Sequence, residues 1–318
     1  MSGEYYVTQN SNIVSNISAL SREQSVLEER RICELYEMVS DTLSKVFELS
    51  GDGIDVYELL SLLSDSSLIK DGCIHTDCLS KNSLRLSNYQ RALSVIDKAI
   101  LCELIYSKLH ELNRTVTEVD FLPRADMPET FIYVKNSLAD EAYDVFSQDF
   151  NDPRIKYSEN FKTAIRSVLD GEATYCLLPL EERGGSRLHT IDELIFKSDL
   201  KINSVTPVFG FDGSADMKYA LVSRNVTVPP KRKEDDRYLE IRIPSHDGVS
   251  LGELLSVAEF YKMGVYRVST VSFDTNDGIL PYYSVVLRDD GQDFTVLLIY
   301  LTLFTSSYTP VGVYKNLE

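Results

Sequence analysis

From Ser18 onward, apolar residues recur every three or four positions, and Ile32, Leu35, Val39, Leu43 and Val46 fall on one face. That spacing predicts an amphipathic helix. Gly51-Asp52-Gly53 stops it, a second apolar helix follows around Val56 to Leu63, and a polar stretch with Asp71-Gly72 precedes a long helix from about Asn88 to Leu112. This long helix carries Leu93, Ile96 and Ile100 on one stripe and Leu101, Ile105, Leu109 and Leu112 on another. So broad an apolar surface calls for burial in a helical bundle or a dimer. The residues before Ser18, rich in Ser and Asn, predict a loose terminus.

Pro123 and Pro128 bracket a connector, after which strand and helix signals alternate as α/β layers require. Strands are predicted at Phe131–Val134, Ile155–Tyr157, Tyr175–Pro179, Ile202–Phe209 and Tyr219–Ser223. Helices are predicted at Leu138–Phe150, Asn160–Leu169 (ended by Gly171) and Ile191–Phe196. Val228 to Arg237 joins two prolines to a charge run and reads as a linker. Beyond it come a strand at Tyr238–Pro244, a helix at Leu251–Tyr261, strands at Val265–Phe273 and Tyr282–Leu287, a helix at Phe294–Thr305 and a strand at Pro310–Tyr314. That order is βαββαβ, the ferredoxin-like arrangement.

The 318 residues are enough for two or three domains. A net charge of −17 without a dense basic stripe argues against nucleic-acid binding. Five irregularly spaced cysteines and no charged-then-apolar leader predict a reducing, cytoplasmic setting. The apolar run Val296–Leu303 is far shorter than the ~20 residues of a membrane span, so no membrane partner is expected.

Three stretches carry a family resemblance. They are Phe161-Lys162-Thr163-Ala164 through Gly171-Glu172-Ala173-Thr174-Tyr175, then Leu178-Pro179-Leu180-Glu181, then Met217-Lys218-Tyr219-Ala220-Leu221-Val222-Ser223-Arg224. Together they resemble the first lobe of prephenate dehydratase, which converts prephenate to phenylpyruvate. The loop Ser245-His246-Asp247-Gly248, the helix starting at Leu251 and the ending Pro310-Val311-Gly312-Val313-Tyr314 resemble the ACT domain that follows it in many members. The resemblance implies an α+β multidomain chain of three parts. An N-terminal helical bundle over 18–115 stands where bifunctional members carry chorismate mutase, a single dehydratase-type α/β lobe spans 129–226, and a C-terminal βαββαβ ferredoxin-like ACT domain spans 237–318.

The departures from the family are chemical. Met217-Lys218-Tyr219 stands in place of the Thr-Arg-Phe signature, and a thioether cannot donate the hydrogen bond of the threonine hydroxyl. Lys218 keeps the charge without the planar fork that grips a carboxylate. Glu182-Arg183 replaces the polar Asn-Ser pair, and the second strand of the ACT-like part reads Val271-Ser272-Phe273-Asp274, keeping only the serine of Glu-Ser-Arg-Pro. Members of the family insert a whole second lobe before the threonine signature, whereas only Phe209 to Asp216 stand there. Eight extended residues span at most roughly 28 Å and bury no core.

A catalytically degenerate dehydratase-type protein of phenylalanine biosynthesis is therefore expected, acting as a ligand-binding or regulatory subunit. Met217, Lys218, Tyr219, Glu182 and Arg183 mark the altered catalytic positions. His246, Gly248, Leu251, Ser272, Arg183 and Arg187 are the candidate ligand contacts. The expected ligand is an amino acid or small aromatic acid at the ACT-like part, and the expected assembly is a homodimer or a hetero-oligomer with an active paralogue. The alternatives are an active bifunctional chorismate mutase/prephenate dehydratase, a mutase alone, or an interaction scaffold. Convergence of Arg30, Arg31 and Lys108 on one cavity would favour the mutase.

No cofactor or metal is expected. Gly184-Gly185-Ser186 lacks the Lys of a phosphate loop, and Cys73, His75 and Cys78 lack the second ligand pair of a structural zinc site. His246 beside Asp247 reads as a loop residue, not an acid/base pair. The carboxylates Glu181, Glu182, Asp192 and Glu193 read as solvated faces on a chain this acidic.

Overall fold

The computed structural model describes residues 3–50, 54–64, 73–75, 90–121, 129–182, 184–209, 215–226, 236–245, 250–275, 278–290, 293–305 and 307–317. They form two compact units, Met1–Thr115 and Val116–Glu318. Among the described residues no helix is long and apolar enough to cross a membrane.

In the first unit, α1 (Gly3–Ser50) packs on α2 (Val56–Ser64) and α3 (Val95–Glu111). Of the predicted stripe, Leu35, Val39 and Leu43 are fully covered and Val46 is buried, whereas Ile32 is exposed. The helix begins at Gly3, well before Ser18, because extending an existing helix through Ser and Asn costs only tenths of a kcal/mol per residue, far less than nucleating a new one. α3 starts at Val95, not near Asn88. Ser94 caps it in a reciprocal capping box with Asp97, and the residues before it form β2 (Gln90–Ala92), antiparallel to β1 (Cys73–His75). Periodicity alone overran that start signal.

The second unit is built on one nine-stranded sheet whose strands lie in the spatial order β4 (Arg154–Ser158), β3 (Thr130–Val134), β5 (Tyr175–Glu182), β7 (Ala215–Ser223), β6 (Lys201–Phe209), β11 (Thr309–Asn316), β8 (Arg237–Pro244), β10 (Gly278–Arg288) and β9 (Gly264–Thr275). Its α/β part runs β3 (Thr130–Val134), α4 (Ser137–Phe146), β4 (Arg154–Ser158), α5 (Phe161–Leu169), β5 (Tyr175–Glu182), α6 (His189–Lys197), β6 (Lys201–Phe209) and β7 (Ala215–Ser223). Strands β4, β3 and β5 are parallel. β6 and β7 form an antiparallel hairpin, with Val208 opposite Met217 and Phe209 opposite Ala215. Asn136 and Asn160 cap α4 and α5 by accepting backbone N–H bonds from Ala139 and Thr163.

The remaining elements are β8 (Arg237–Pro244), α7 (Leu251–Phe260), β9 (Gly264–Thr275), β10 (Gly278–Arg288), α8 (Thr295–Phe304) and β11 (Thr309–Asn316). They are antiparallel throughout, in the order β11-β8-β10-β9. β8 is buried on both faces. Side chains alternate along a strand, so Leu239, Ile241 and Ile243 line one face while Glu240 and Arg242 line the other.

The two parts of the sheet join through β11, which pairs in parallel with β6 at Lys315–Ser204 and Asn316–Val205. Val311 and Tyr314 of β11 belong to the same apolar cluster as Ile202 and Val205 of β6. Backbones approach closely at this seam, and a Cβ on Gly312 would stand 2.1 Å from the carbonyl oxygen of Ile202.

Most of the predicted linker lies outside the described residues, but Arg237 at its end is buried in β8. Its guanidinium holds Glu118 at 2.8 and 2.9 Å and Asp289 at 2.8 Å. Carboxylates more than fifty positions away drew the end of that charge run inward.

Replacing Gly312 by Ala is expected to destabilise the fold by about 1–3 kcal/mol, because the added methyl meets backbone that cannot rotate aside. Urea unfolding followed by circular dichroism measures this. A variant with an unchanged midpoint would show that the seam tolerates separation.

Candidate functional site: an ionic cleft at the sheet seam

β5 ends in a tight turn that returns the chain along itself. Glu182 N–H donates to Ser186 O at 2.9 Å, Gly185 N–H to Glu182 O at 3.0 Å and Leu188 N–H to Leu180 O at 3.0 Å. Gly184 and Gly185 have φ of +95° and +82°, a conformation that favours glycine. The turn delivers Arg187 and the first turn of α6 onto the ionic face of β8.

Arg187 is the hub of this face. Its guanidinium donates to Glu240 Oε1 at 2.9 Å, Glu240 Oε2 at 2.5 Å and Asp192 Oδ1 at 3.0 Å, and lies 3.5 Å from Glu181 Oε1. Arg242 donates to Asp192 at 2.6 Å and stacks over Phe273 and Phe196, whose own rings stack at 4.0 Å. Tyr314 and Ser284 hydroxyls complete the shell of Glu240 at 3.1 and 3.4 Å.

Burial pushes the Glu240 carboxyl up, but the Arg187 and Arg242 charges outweigh it and hold the group below its ordinary 4.5. Burial, and next the Glu240 charge, push the Tyr314 phenol well above its usual range. Burial lowers the affinity of Arg187 for its proton, yet Glu240, Tyr314 and Asp192 raise it well above the usual value. Glu240 and Arg187 therefore hold fixed charges while Tyr314 stays neutral, and the three act as a structural lock, not as proton carriers.

Next to the lock a narrow cleft opens to solvent. Leu180, Glu181, Val205 and Lys218 line it from the α/β part, facing Arg267, Asn316 and the rings of Tyr238, Tyr266 and Tyr314. Within this lining Glu181 lies 2.6 Å from Arg267 and 3.7 Å from Lys218.

The altered signature positions separate. Lys218 faces the cleft, whereas Met217 and Tyr219 face the opposite side in a cluster with Phe131, Tyr133, Val208 and Leu317, and Tyr219 donates to Asn136 Oδ1 at 3.3 Å. Glu182 is exposed. Arg187 is buried among carboxylates instead of standing free at a pocket mouth. Ser272 is exposed on β9 opposite Pro281, and Leu251 opens α7. Arg183, His246 and Gly248 lie outside the described residues.

Glu181 and Asp192 are not solvated: their side chains are only 6% and 3% exposed. Their neighbours differ: Glu182 is exposed and Glu193 partly exposed, because Glu182 alternates with Glu181 along a strand and Glu193 follows Asp192 around a helix.

In the helical unit, Arg31 pairs with Asp97 at 2.6 Å while Lys108 pairs with Glu111 and Tyr36. Asp97 and Lys108 lie about 16 Å apart along α3, so Arg31 and Lys108 do not converge on one cavity. Among the described residues no three His, Cys, Asp or Glu side chains group as a metal site. The side chains of Cys73 and His75, and all of Cys78, fall outside that description.

Sequence reasoning missed Arg267, Tyr238, Tyr266 and Asn316. The one signal available was a charge inside the apolar strand run Val265-Tyr266-Arg267-Val268, since an arginine there needs a partner.

No family model and no curated protein matches the sequence. Solved structures with some likeness include prephenate dehydratase from Streptococcus mutans, at 13% identity and TM-score 0.47, over 61% of this chain and 100% of that one. Prephenate dehydratase from Arthrobacter aurescens in complex with L-Phe aligns at 14% identity and TM-score 0.42, over 58% and 89%. GqqA, described as a novel type of quorum quenching acylase, aligns at 17% identity and TM-score 0.44, over 59% and 95%. Likeness at this level carries no inference about chemistry.

Removing the hub by Arg187→Met is expected to cost about 3–5 kcal/mol, because Glu240 would be left buried and unpaired. Denaturant midpoints at pH 7 measure this. Glu240 contributes stability that is complete above its unfolded value near 4.5 and is lost as pH falls through its lower folded value. The acid limb of the stability profile is therefore expected to be shallower in Glu240→Gln than in the wild type.

Proposed function

We propose that this chain is a prephenate dehydratase-type protein without dehydratase chemistry, serving as a ligand-binding or regulatory subunit in phenylalanine biosynthesis. One observation carries the reading. β6 and β7 pair directly as a hairpin, with Phe209 opposite Ala215, at the place where the resembling family inserts its second lobe. Dehydration needs groups that bind the transition state from two sides, and five residues between paired strands supply no second wall.

Two features of the signature support it. Met217 is committed to an apolar cluster, and Lys218 points to the other side of the sheet toward Glu181. The C-terminal strand order β11-β8-β10-β9 with two crossover helices is the ferredoxin-like pattern and supports an ACT-like reading of residues 237–318. The helical part over 18–115 is read as a relic of the mutase position without its activity, since Arg31 and Lys108 are each held by a local carboxylate. A dimer through the outer edge of the twelve-residue β9, which among the described residues pairs with β10 alone, accompanies this reading, because a strand edge is a ready pairing template.

Purified protein incubated with prephenate is expected to form no phenylpyruvate above the uncatalysed rate, followed by the absorbance of the enolised product. Steady turnover would refute the proposal. Calorimetric titration with phenylalanine, tyrosine and prephenate is expected to give heat for at least one of them, and silence for all three would instead indicate a scaffold.

A further inference from the structure

We propose that the cleft at the sheet seam binds a small organic monocarboxylate between Lys218 and Arg267, and that Glu181 occupies the carboxylate's place until it arrives. This goes beyond the dehydratase-type reading and stands whether or not prephenate is turned over.

Charge is the first ground. Around the lock and cleft, four cations (Arg187, Arg242, Arg267 and Lys218) meet three carboxylates (Glu181, Asp192 and Glu240). One positive charge is left over, on a chain whose net charge is −17. Arg187 and Arg242 are engaged by Glu240 and Asp192 at 2.5 to 3.0 Å, so the surplus falls on Lys218 and Arg267. Each is about one fifth exposed, at 22% and 23%.

Geometry is the second ground. The two cations flank the single carboxylate of Glu181, which hydrogen-bond length allows to Arg267 but not to Lys218, at 3.7 Å. One buried carboxylate thus stands between two cations and satisfies only one of them. A ligand carboxylate in this gap would engage Lys218 directly and match the surplus charge, whereas a dianion would overshoot it.

Shape and polarity fix the ligand's size. The space in the cleft is small, with room for one or two waters. A carboxylate head therefore enters while the rest of the molecule leaves along the Tyr238 and Tyr266 rings, which meet edge to face at 4.9 Å. Asn316 Oδ1 is buried without a donor beside the cleft, so a hydroxyl next to the carboxylate improves the fit. Glycolate is the minimal probe with both groups.

The test is a titration of the full chain with sodium glycolate, exchanged against chloride at constant ionic strength. The readout is side-chain Nε–H resonances of ¹⁵N-arginine-labelled protein, with the Arg267 signal identified by its loss in Arg267→Met. A saturable shift of that signal is expected. Glu181→Gln should lower the half-saturating concentration at least tenfold by removing the internal competitor, and Lys218→Met should raise it at least tenfold. No shift in wild type and Glu181→Gln alike, or equal affinity in both, would overturn the proposal. So would tighter binding of inorganic phosphate than of glycolate. Thermal melts establish that each variant is folded. Should Glu181→Gln fail to fold, Lys218→Met decides: weakened binding supports the site and unchanged binding refutes it.

Discussion

The fork of Arg187 closing on Glu240 is the contact on which the second unit depends. It ties the turn after β5 to the middle of β8, two segments fifty-three positions apart in sequence. Replacing such a pair with well-packed apolar residues is often neutral or stabilising, whereas deleting one partner strands a buried charge. Its value is therefore specificity of register. A one-residue slip of β8 would turn Glu240 and Arg242 to the opposite face of the sheet and bring Leu239 and Ile241 under the guanidinium of Arg187.

That constraint shapes what the molecule is able to do. The α/β part and the C-terminal part share one sheet through β6 and β11 and share one charged network through Arg187, Asp192, Glu240 and Arg242. Met217 and Tyr219 are committed to an apolar cluster and Arg187 to the lock. What stays open to solvent is the neighbouring cleft, where residues from both parts of the sheet meet around Glu181. A molecule lodged there touches both parts at once, which is the geometric requirement for a binding event to be felt across the seam.

Much of the architecture was legible along the chain because it rests on local rules. The helix stripe of Leu35, Val39 and Leu43, the Gly171 stop, the strand and helix alternation from Phe131 to Ser223 and the βαββαβ order near the C-terminus all appear where periodicity and turn residues place them. The errors are local too. The Ser94–Asp97 cap starts α3 later than its apolar spacing suggests, and the polar residues before Ser18 extend α1 because elongation is easier than nucleation.

The site was far less legible. Glu181, Asp192, Arg187, Glu240, Arg242 and Arg267 are unremarkable acids and bases in a chain where a quarter of the residues are charged, and their partners lie tens of positions away. Alternation marks Glu240 and Arg242 as sharing one strand face, yet it does not say whether that face meets water or another charged surface. The sequence alone determined the order of elements, the short link between β6 and β7 and the chemical substitutions at Met217 and Lys218, since each follows from neighbours a few residues apart. Only the tertiary structure decided that the C-terminal strand completes the first part's sheet and that Arg187 is sheathed. Those outcomes depend on pairings between distant segments, where desolvation and the match of opposite charges, not spacing, select the partner.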